Sequence, residues 1–251
     1  MRLSPRVLGA AFLALSCVQL AAELAAWPEA IFLVKPLLLP LLGAWYLASV
    51  PTPRTRVDRR MGVAFATSWV GDVALMLAPA HPDDTAILGI PKHDAWFLVG
   101  VGAFFVCHLA FIAVFRAVDR PEVPGPFPSR WAWFLPLAAY GLGIISYVVP
   151  RVAADPVRGD AAGPVAVYAV VLCLMAAFAL QRHGRVSTRS FTAVAVGAHV
   201  FVASDSLIAL AHLVHLPIPF SGFLIMSTYL VAEALIAWGV LAQRRDQADG
   251  A

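Results

Sequence analysis

The stretch FLVGVGAFFVCHLAFIAVF, Phe97 to Phe115, contains no Asp, Glu, Lys or Arg. A helix of that length rises roughly 29 Å, about the thickness of the hydrocarbon core of a bilayer. Across the 251-residue chain, 61% of the residues are apolar, 13% are charged, and the mean hydropathy is +0.79. A water-facing surface needs roughly a quarter of its residues charged, so this composition excludes an ordinary soluble domain.

Apolar runs of similar length recur along the whole chain and leave almost no sequence for a soluble domain. They predict an all-α polytopic membrane protein with eight transmembrane helices, forming a single integral membrane domain over residues 1–251. The helices are expected near 7–26, 29–50, 61–80, 94–115, 131–150, 164–181, 191–213 and 221–243. The first run also resembles a secretory signal, but it is long for one, and we expect it to be retained.

Positive charges fall in alternate connections between these runs. Fourteen lie on one side, at 2, 6, 54, 56, 59, 60, 116, 120, 130, 182, 185, 189, 244 and 245, and the other side has only Lys92, Arg151 and Arg158. The positive-inside rule therefore predicts that both termini are cytoplasmic, in a multi-pass protein of the cell membrane. The pI of about 9.0 follows from these boundary arginines, so nucleic acid is not an expected partner.

Ionisable side chains inside the apolar runs are costly and usually mark function. Asp72 and Asp205 each lie about eight residues from the outer end of a predicted helix, roughly 12 Å deep, and Lys35 lies at nearly that level. His108 and Glu233 are also within runs, and Tyr229 precedes Glu233 by one helical turn. Two carboxyl groups at matched depth predict a shared site.

Each of these residues also has a purely structural interpretation. Lys35 could extend its ammonium group to the membrane surface, and His108 could form a buried hydrogen bond between helices. An aspartate in the middle of a membrane span could also form a structural hydrogen bond to a neighbouring helix. A proton-coupled transporter or channel would use the same intramembrane charges as a relay.

The two aspartates lie in similar short sequences. VGDVALMLA, Val70 to Ala78, aligns with ASDSLIALA, Ala203 to Ala211, four helices later and in the same orientation. This echo suggests a parallel duplication of two four-helix halves, unlike the inverted repeats of many transporters.

Six segments in order resemble one known family. They are VKPLLLPLL, SWVGDVALML, FLVGVGAFFVCHLAFIAVF, YAVVLCLMAAFAL, VGAHVFVASDSLIAL and STYLVAEALIAWGV, which begin at residues 34, 68, 97, 168, 196 and 227. The chain resembles the YhhN-like integral membrane proteins, which include the lysoplasmalogenases. The resemblance covers nearly the whole chain, and KP, GD and SDS are specific in combination.

The resemblance implies an eight-helix hydrolase that cleaves the vinyl ether bond of a lysoplasmalogen, giving a fatty aldehyde and a glycerophospho-base. It implies a lysophospholipid substrate held in the lipid bilayer, no metal or organic cofactor, and catalysis by Asp72 and Asp205. We take the residues in or near these motifs as supporting candidates: Lys35, His108, Tyr168, Ser204, Tyr229 and Glu233. The family usually has Gln where this chain has Glu233, so the sequence departs from the family pattern at this position.

The chemistry of a vinyl ether suits a pair of carboxyl groups independently of the resemblance. Protonation at carbon gives an oxocarbenium ion, which captures water, and the resulting hemiacetal separates into aldehyde and alcohol. One group must deliver the proton, while a second stabilises the cation or deprotonates the water, as in two-carboxylate glycosidases.

Overall fold

The computed structural model describes residues 4–78, 86–87, 90–156 and 159–250. Its eight long helices are α1 Pro5–Leu24, α2 Pro28–Ser49, α3 Arg56–Leu77, α4 Lys92–Phe115, α5 Leu135–Ala153, α6 Ala162–Leu180, α7 Thr188–Ile208 and α8 Ser221–Asp249. Short 3-10 turns at Trp131–Phe134 and Gly159–Ala161 precede α5 and α6, and a π turn at Ala209–Leu213 extends α7. Strands β1 Ala86–Ile87 and β2 Ile90–Pro91 form one small antiparallel pair.

The prediction of an all-helical chain with eight long helices is confirmed. In the described part of the chain, seven of them are long and apolar enough to cross a membrane, which makes this a multi-pass membrane protein. The exception is α3, which begins earlier than expected and includes Arg60 and Asp72. Positions 79–80 of the predicted third helix, and the charges at Arg2 and Arg158, lie outside the described residues.

The helices group into two compact units, Met1–Val114 and Phe115–Ala251. The boundary falls at the end of α4, so each unit contains four long helices. The suggested duplication of four-helix halves requires a division at this place, although the duplication itself stays a prediction.

In the first unit, small residues let neighbouring helices approach closely. A Cβ atom added at Gly9 of α1 would lie 3.2 Å from Trp45 of α2, and one at Gly71 of α3 would lie 2.6 Å from Phe104 of α4. Glycine at such points permits close van der Waals packing, the main attraction between helices in lipid. Because Gly71 immediately precedes Asp72, this close approach also fixes where that aspartate lies.

The second unit has its closest packing between α7 and α8. Each helix places a glycine against the other: Gly197 of α7 faces Ile236, and Gly239 of α8 faces Val194, where an added Cβ atom would come within 2.9 and 2.8 Å. Both α7 and α8 are largely buried along their lengths. The pair therefore forms the rigid core of the second unit and supports Asp205 on α7.

A buried arginine joins the end of α6 to the start of α7 and to the last turns of α8. Arg182, directly after α6, is fully buried and donates to Ser190 Oγ at 2.9 Å and to Gln243 Oε1 at 2.8 Å. Gln243 in turn donates to Asp119 Oδ1 at 2.7 Å. Burial lowers the pKa of Arg182 to about 10, with the Asp119 charge opposing the shift, so the guanidinium stays charged near neutral pH.

Candidate functional site

Asp72 is buried on α3, with 3% of its surface exposed. The ammonium Nζ of Lys35, on α2, lies 3.8 Å from Asp72 Oδ1 and forms an ion pair with it. An ion pair in apolar surroundings compensates part of the large cost of removing both charges from water. The interpretation of Lys35 as a residue that only extends to the membrane surface is therefore incomplete, because its charge meets a buried carboxyl.

The prolines beside Lys35 explain how α2 is held against α3. Pro40 has no backbone N–H, so the carbonyl of Pro36, four residues earlier, lacks its usual partner within the helix. The indole Nε1 of Trp69, on α3, donates to that carbonyl at 2.9 Å. This bond joins the residue after Lys35 to a residue three before Asp72, and so helps to set the distance between the two charges.

α4 supplies further polar groups beside α3. Cys107 is buried, and its Sγ lies 3.0 Å from Oγ of Ser68, which precedes Asp72 by one helical turn. The next residue, His108, is also fully buried. The contact with Ser68 gives the buried Cys107 thiol a polar neighbour.

Asp205 occupies the corresponding place in the second unit, near the end of α7, with 8% of its surface exposed. The hydroxyl of Tyr168, on α6, donates to Asp205 Oδ2 at 2.5 Å. Tyr168 and Asp205 are 37 positions apart in the sequence, so their contact depends on α6 packing against α7. Tyr168, one of the supporting candidates, thus bonds directly to Asp205.

The other candidates of the second unit lie on or against α8. Ser204 donates to the backbone carbonyl of Ile225 at 3.1 Å, so its hydroxyl joins α7 to α8. Tyr229 is buried and packs edge-on against Phe201, with 5.6 Å between ring centroids. Glu233 is fully buried one turn after Tyr229. Ser204 and Tyr229 thus hold α7 against α8, and Glu233 adds a second buried carboxyl to this unit.

The two units place their aspartates in the same way. In each, the aspartate lies on the third long helix and contacts a polar side chain from the second: Lys35 for Asp72, and Tyr168 for Asp205. Asp72 lies five residues before the last residue of α3, and Asp205 lies eight residues before the last residue of the π turn. That the two aspartates share one depth in the membrane stays a prediction.

Asp58 and Arg182 are buried charged residues that the sequence did not single out. Asp58 accepts a hydrogen bond from the Tyr46 hydroxyl at 2.9 Å and caps the start of α3, and Arg182 organises one end of the second unit. Both lie in arginine-rich connections, where charge is ordinarily explained by membrane orientation. Only the Thr55-x-x-Asp58 spacing, typical of a helix start, was available as a signal. Among the described residues, no group of three His, Cys, Asp or Glu could hold a metal ion.

The model of the YhhN family matches residues 30–240, which include nearly all of α2, the whole of α3 to α7 and most of α8. The chain belongs to the YhhN family. Two curated proteins, a lysoplasmalogenase of Mycobacterium bovis and one of Mycobacterium tuberculosis, are each 31% identical over 157 residues, or 61% of this chain. The matched part spans about half, 54%, of the length of each. No solved structure matches.

The ion pair between Lys35 and Asp72 can be tested by a double-mutant cycle. Lys35→Met and Asp72→Asn should each lower the melting temperature of the purified protein in detergent, and the double variant should lose less than the sum. We expect a coupling energy of about 0.5 to 3 kcal/mol, the usual range for contacting charges.

A matched control uses Glu29, an exposed carboxyl on the first turn of α2. Lys35→Met and Glu29→Gln should give additive effects. Additivity in the Lys35–Asp72 cycle as well would contradict the ion pair.

Proposed function

We propose that this chain is a lysoplasmalogenase-like hydrolase that cleaves the vinyl ether bond of a lysoplasmalogen to a fatty aldehyde and a glycerophospho-base. Membership of the YhhN family and the likeness to two proteins named lysoplasmalogenase support this reaction. The observation that carries the proposal is that each unit buries an aspartate inside an apolar run, Asp72 or Asp205, and gives it a polar partner from the preceding long helix. We further propose eight membrane crossings, cytoplasmic termini and a location in the cell membrane, on the charge asymmetry of the connections.

Asp72 and Asp205 are the catalytic carboxyl groups in this proposal. The overall reaction adds one water to the vinyl ether. One carboxyl delivers a proton to the vinyl carbon, and the other accepts a proton from the water that bonds to the oxocarbenium carbon. When the hemiacetal breaks its bond to the glycerol oxygen, the second carboxyl gives its proton to that oxygen, and the first takes the proton of the hemiacetal hydroxyl as the aldehyde forms. Each Asp is thereby restored to its starting protonation state, as in acid–base catalysis by paired carboxyl groups.

The partners of the two aspartates suit different roles. The Lys35 ammonium can only donate hydrogen bonds, so the Asp72 oxygen beside it must be an acceptor. The Tyr168 hydroxyl can donate or accept, so it accommodates Asp205 with or without its proton. We therefore assign the acid role to Asp205 and the carboxylate role to Asp72.

The reaction is tested with purified protein in detergent and a vinyl ether lysophospholipid, with release of aldehyde as the measurement. A saturated alkyl-ether lysolipid of the same chain length is the control substrate, because it cannot form the oxocarbenium ion by protonation at carbon. Hydrolysis of the vinyl ether lysolipid, without hydrolysis of the alkyl-ether control, supports the hydrolase. Detergent removes the compartments that a transporter needs, so absence of turnover in folded protein would contradict the hydrolase and favour transport.

Replacing either catalytic carboxyl should remove most of the activity. We expect Asp72→Asn and Asp205→Asn each to lower kcat at least about a hundredfold, the common scale of general acid–base catalysis. Asp246→Asn, the same change at an exposed position of α8, is the control and should leave kcat unchanged. A folded Asp72 or Asp205 variant with full activity would remove the paired-carboxyl mechanism.

Tyr168 is proposed as a positioning residue for Asp205. Tyr168→Phe keeps the ring and removes the hydrogen bond, so we expect kcat to fall by about tenfold or more, with a shifted pH–rate profile. Tyr140→Phe changes an exposed tyrosine on α5 and should alter neither. A lower melting temperature with an unshifted pH profile would show that Tyr168 has only a structural role.

Glu233 tests whether a third carboxyl takes part. Glutamine has nearly the shape of a protonated glutamate and offers both donors and an acceptor, so Glu233→Gln should retain most of its activity. Glu233→Ala should be less active and less stable, because it removes a polar group that is fully buried and has neighbours in contact. A hundredfold loss of kcat in folded Glu233→Gln would mean that the two-aspartate mechanism needs Glu233 as well.

A further inference from the structure

The connection after α4 and the turn after α6 line an open cavity of about 470 Å³ within the second unit. Two arginines, Arg116 and Arg185, line it, and no acidic residue does. Much of the remaining wall is apolar, with Phe115, Val123 and Phe178 among its members. The cavity is therefore positively charged on one part of its wall and apolar on another.

The two arginines have donors to spare. Among the described residues, the exposed Arg116 guanidinium has no hydrogen bond or ion pair. Arg185 donates from Nη2 to the carbonyl of Pro121 at 3.4 Å, a long bond, and its buried Nε has no acceptor in the described chain. The absence of a partner at Arg116 and the single long bond at Arg185 leave guanidinium donors for a ligand with several acceptor oxygens.

The acidic residues near this cavity are not part of its lining, so they do not neutralise the lining arginines there. Asp119, in the same connection, receives hydrogen bonds from Gln243 and Gln247 at 2.7 and 2.6 Å. Glu122 is exposed and is not part of the lining. Arg182 also has a buried Nε without an acceptor, but its Nη2 donates to Ser190 and Gln243, and it is not part of the lining.

We propose that this cavity binds a phosphate group. The planar guanidinium group matches the oxygens of a phosphate with paired hydrogen bonds, and it remains charged at any physiological pH. The apolar part of the wall would suit the first carbons of a lipid chain, and the arginine part would suit a lipid headgroup phosphate or a free phosphate ion equally.

This phosphate site is separate from the proposed catalytic residues. Arg185 lies just before α7, and Asp205 lies 17 positions after the first residue of that helix, which corresponds to roughly 25 Å along its axis. In a lysophospholipid, only a few bonds separate the phosphate from the ether oxygen. A molecule whose ether bond is at Asp205 therefore cannot place its own phosphate in this cavity, and the ligand is a second molecule.

Binding is tested on the purified full-length protein in a nonionic detergent, with two separate probes: inorganic phosphate and dioctanoyl phosphatidylglycerol. The measurement is the rise in melting temperature with probe concentration, which gives an apparent Kd. Arg116→Gln and Arg185→Gln should each weaken binding by about tenfold or more, the scale of a lost charge-assisted hydrogen bond. The Arg185 backbone carbonyl, which accepts from the N–H groups of Asp119 and Arg120, is unchanged in this variant.

Two further variants keep the test decisive. Arg189→Gln removes an exposed positive charge on the first turn of α7, outside the cavity, and should bind like the parent. Val123→Trp keeps every charge but fills the cavity, and should abolish binding even if an arginine variant does not fold.

The two probes distinguish the source of the phosphate. If the lipid binds saturably and inorganic phosphate does not bind, the cavity is assigned to a lipid headgroup. If both probes bind equally well, it is assigned to a free phosphate. The proposal is overturned if neither probe binds, if Val123→Trp binds normally, or if Arg189→Gln loses as much affinity as the cavity variants. None of these outcomes depends on whether the protein hydrolyses a vinyl ether.

Discussion

A carboxyl group in apolar surroundings loses its hydration, and it is stable only where protein groups replace that water. Much of the local structure in each unit serves this requirement. In the first unit, the close approach at Gly71 and the bond from Trp69 to the Pro36 carbonyl keep α2, α3 and α4 where Lys35 meets Asp72. In the second, glycine contacts hold α7 against α8.

The two units meet the same requirement with different chemistry. Asp72 meets the ammonium group of a lysine in an ion pair, whereas Asp205 meets a tyrosine hydroxyl that can act as donor or acceptor. If the halves arose by duplication, this difference is where they diverged. Acid–base catalysis with two carboxyl groups needs unlike environments for them, and unlike partners are a direct way to provide these.

The arginines that follow α4 and α6 show that residues of one type, in connections between helices, can have different physical roles. Arg182 is buried and joins three helices, while Arg116 and Arg185 face a cavity with hydrogen-bonding capacity left over. Membrane orientation accounts for all of them equally well from their positions in the sequence. Burial and hydrogen bonding separate a structural arginine from those available to a ligand.

Composition and the length of the apolar runs were sufficient to predict eight long helices in a membrane protein, because crossing lipid requires a long helix with few charges. The motifs around Asp72 and Asp205 also indicated the family and the candidate aspartates. The sequence could not assign Tyr168 to Asp205, separate Arg182 from its neighbours, or predict that Trp69 replaces the donor missing at Pro40. Those contacts join residues far apart in the chain, and only the packing of particular helix faces brings them within hydrogen-bonding distance.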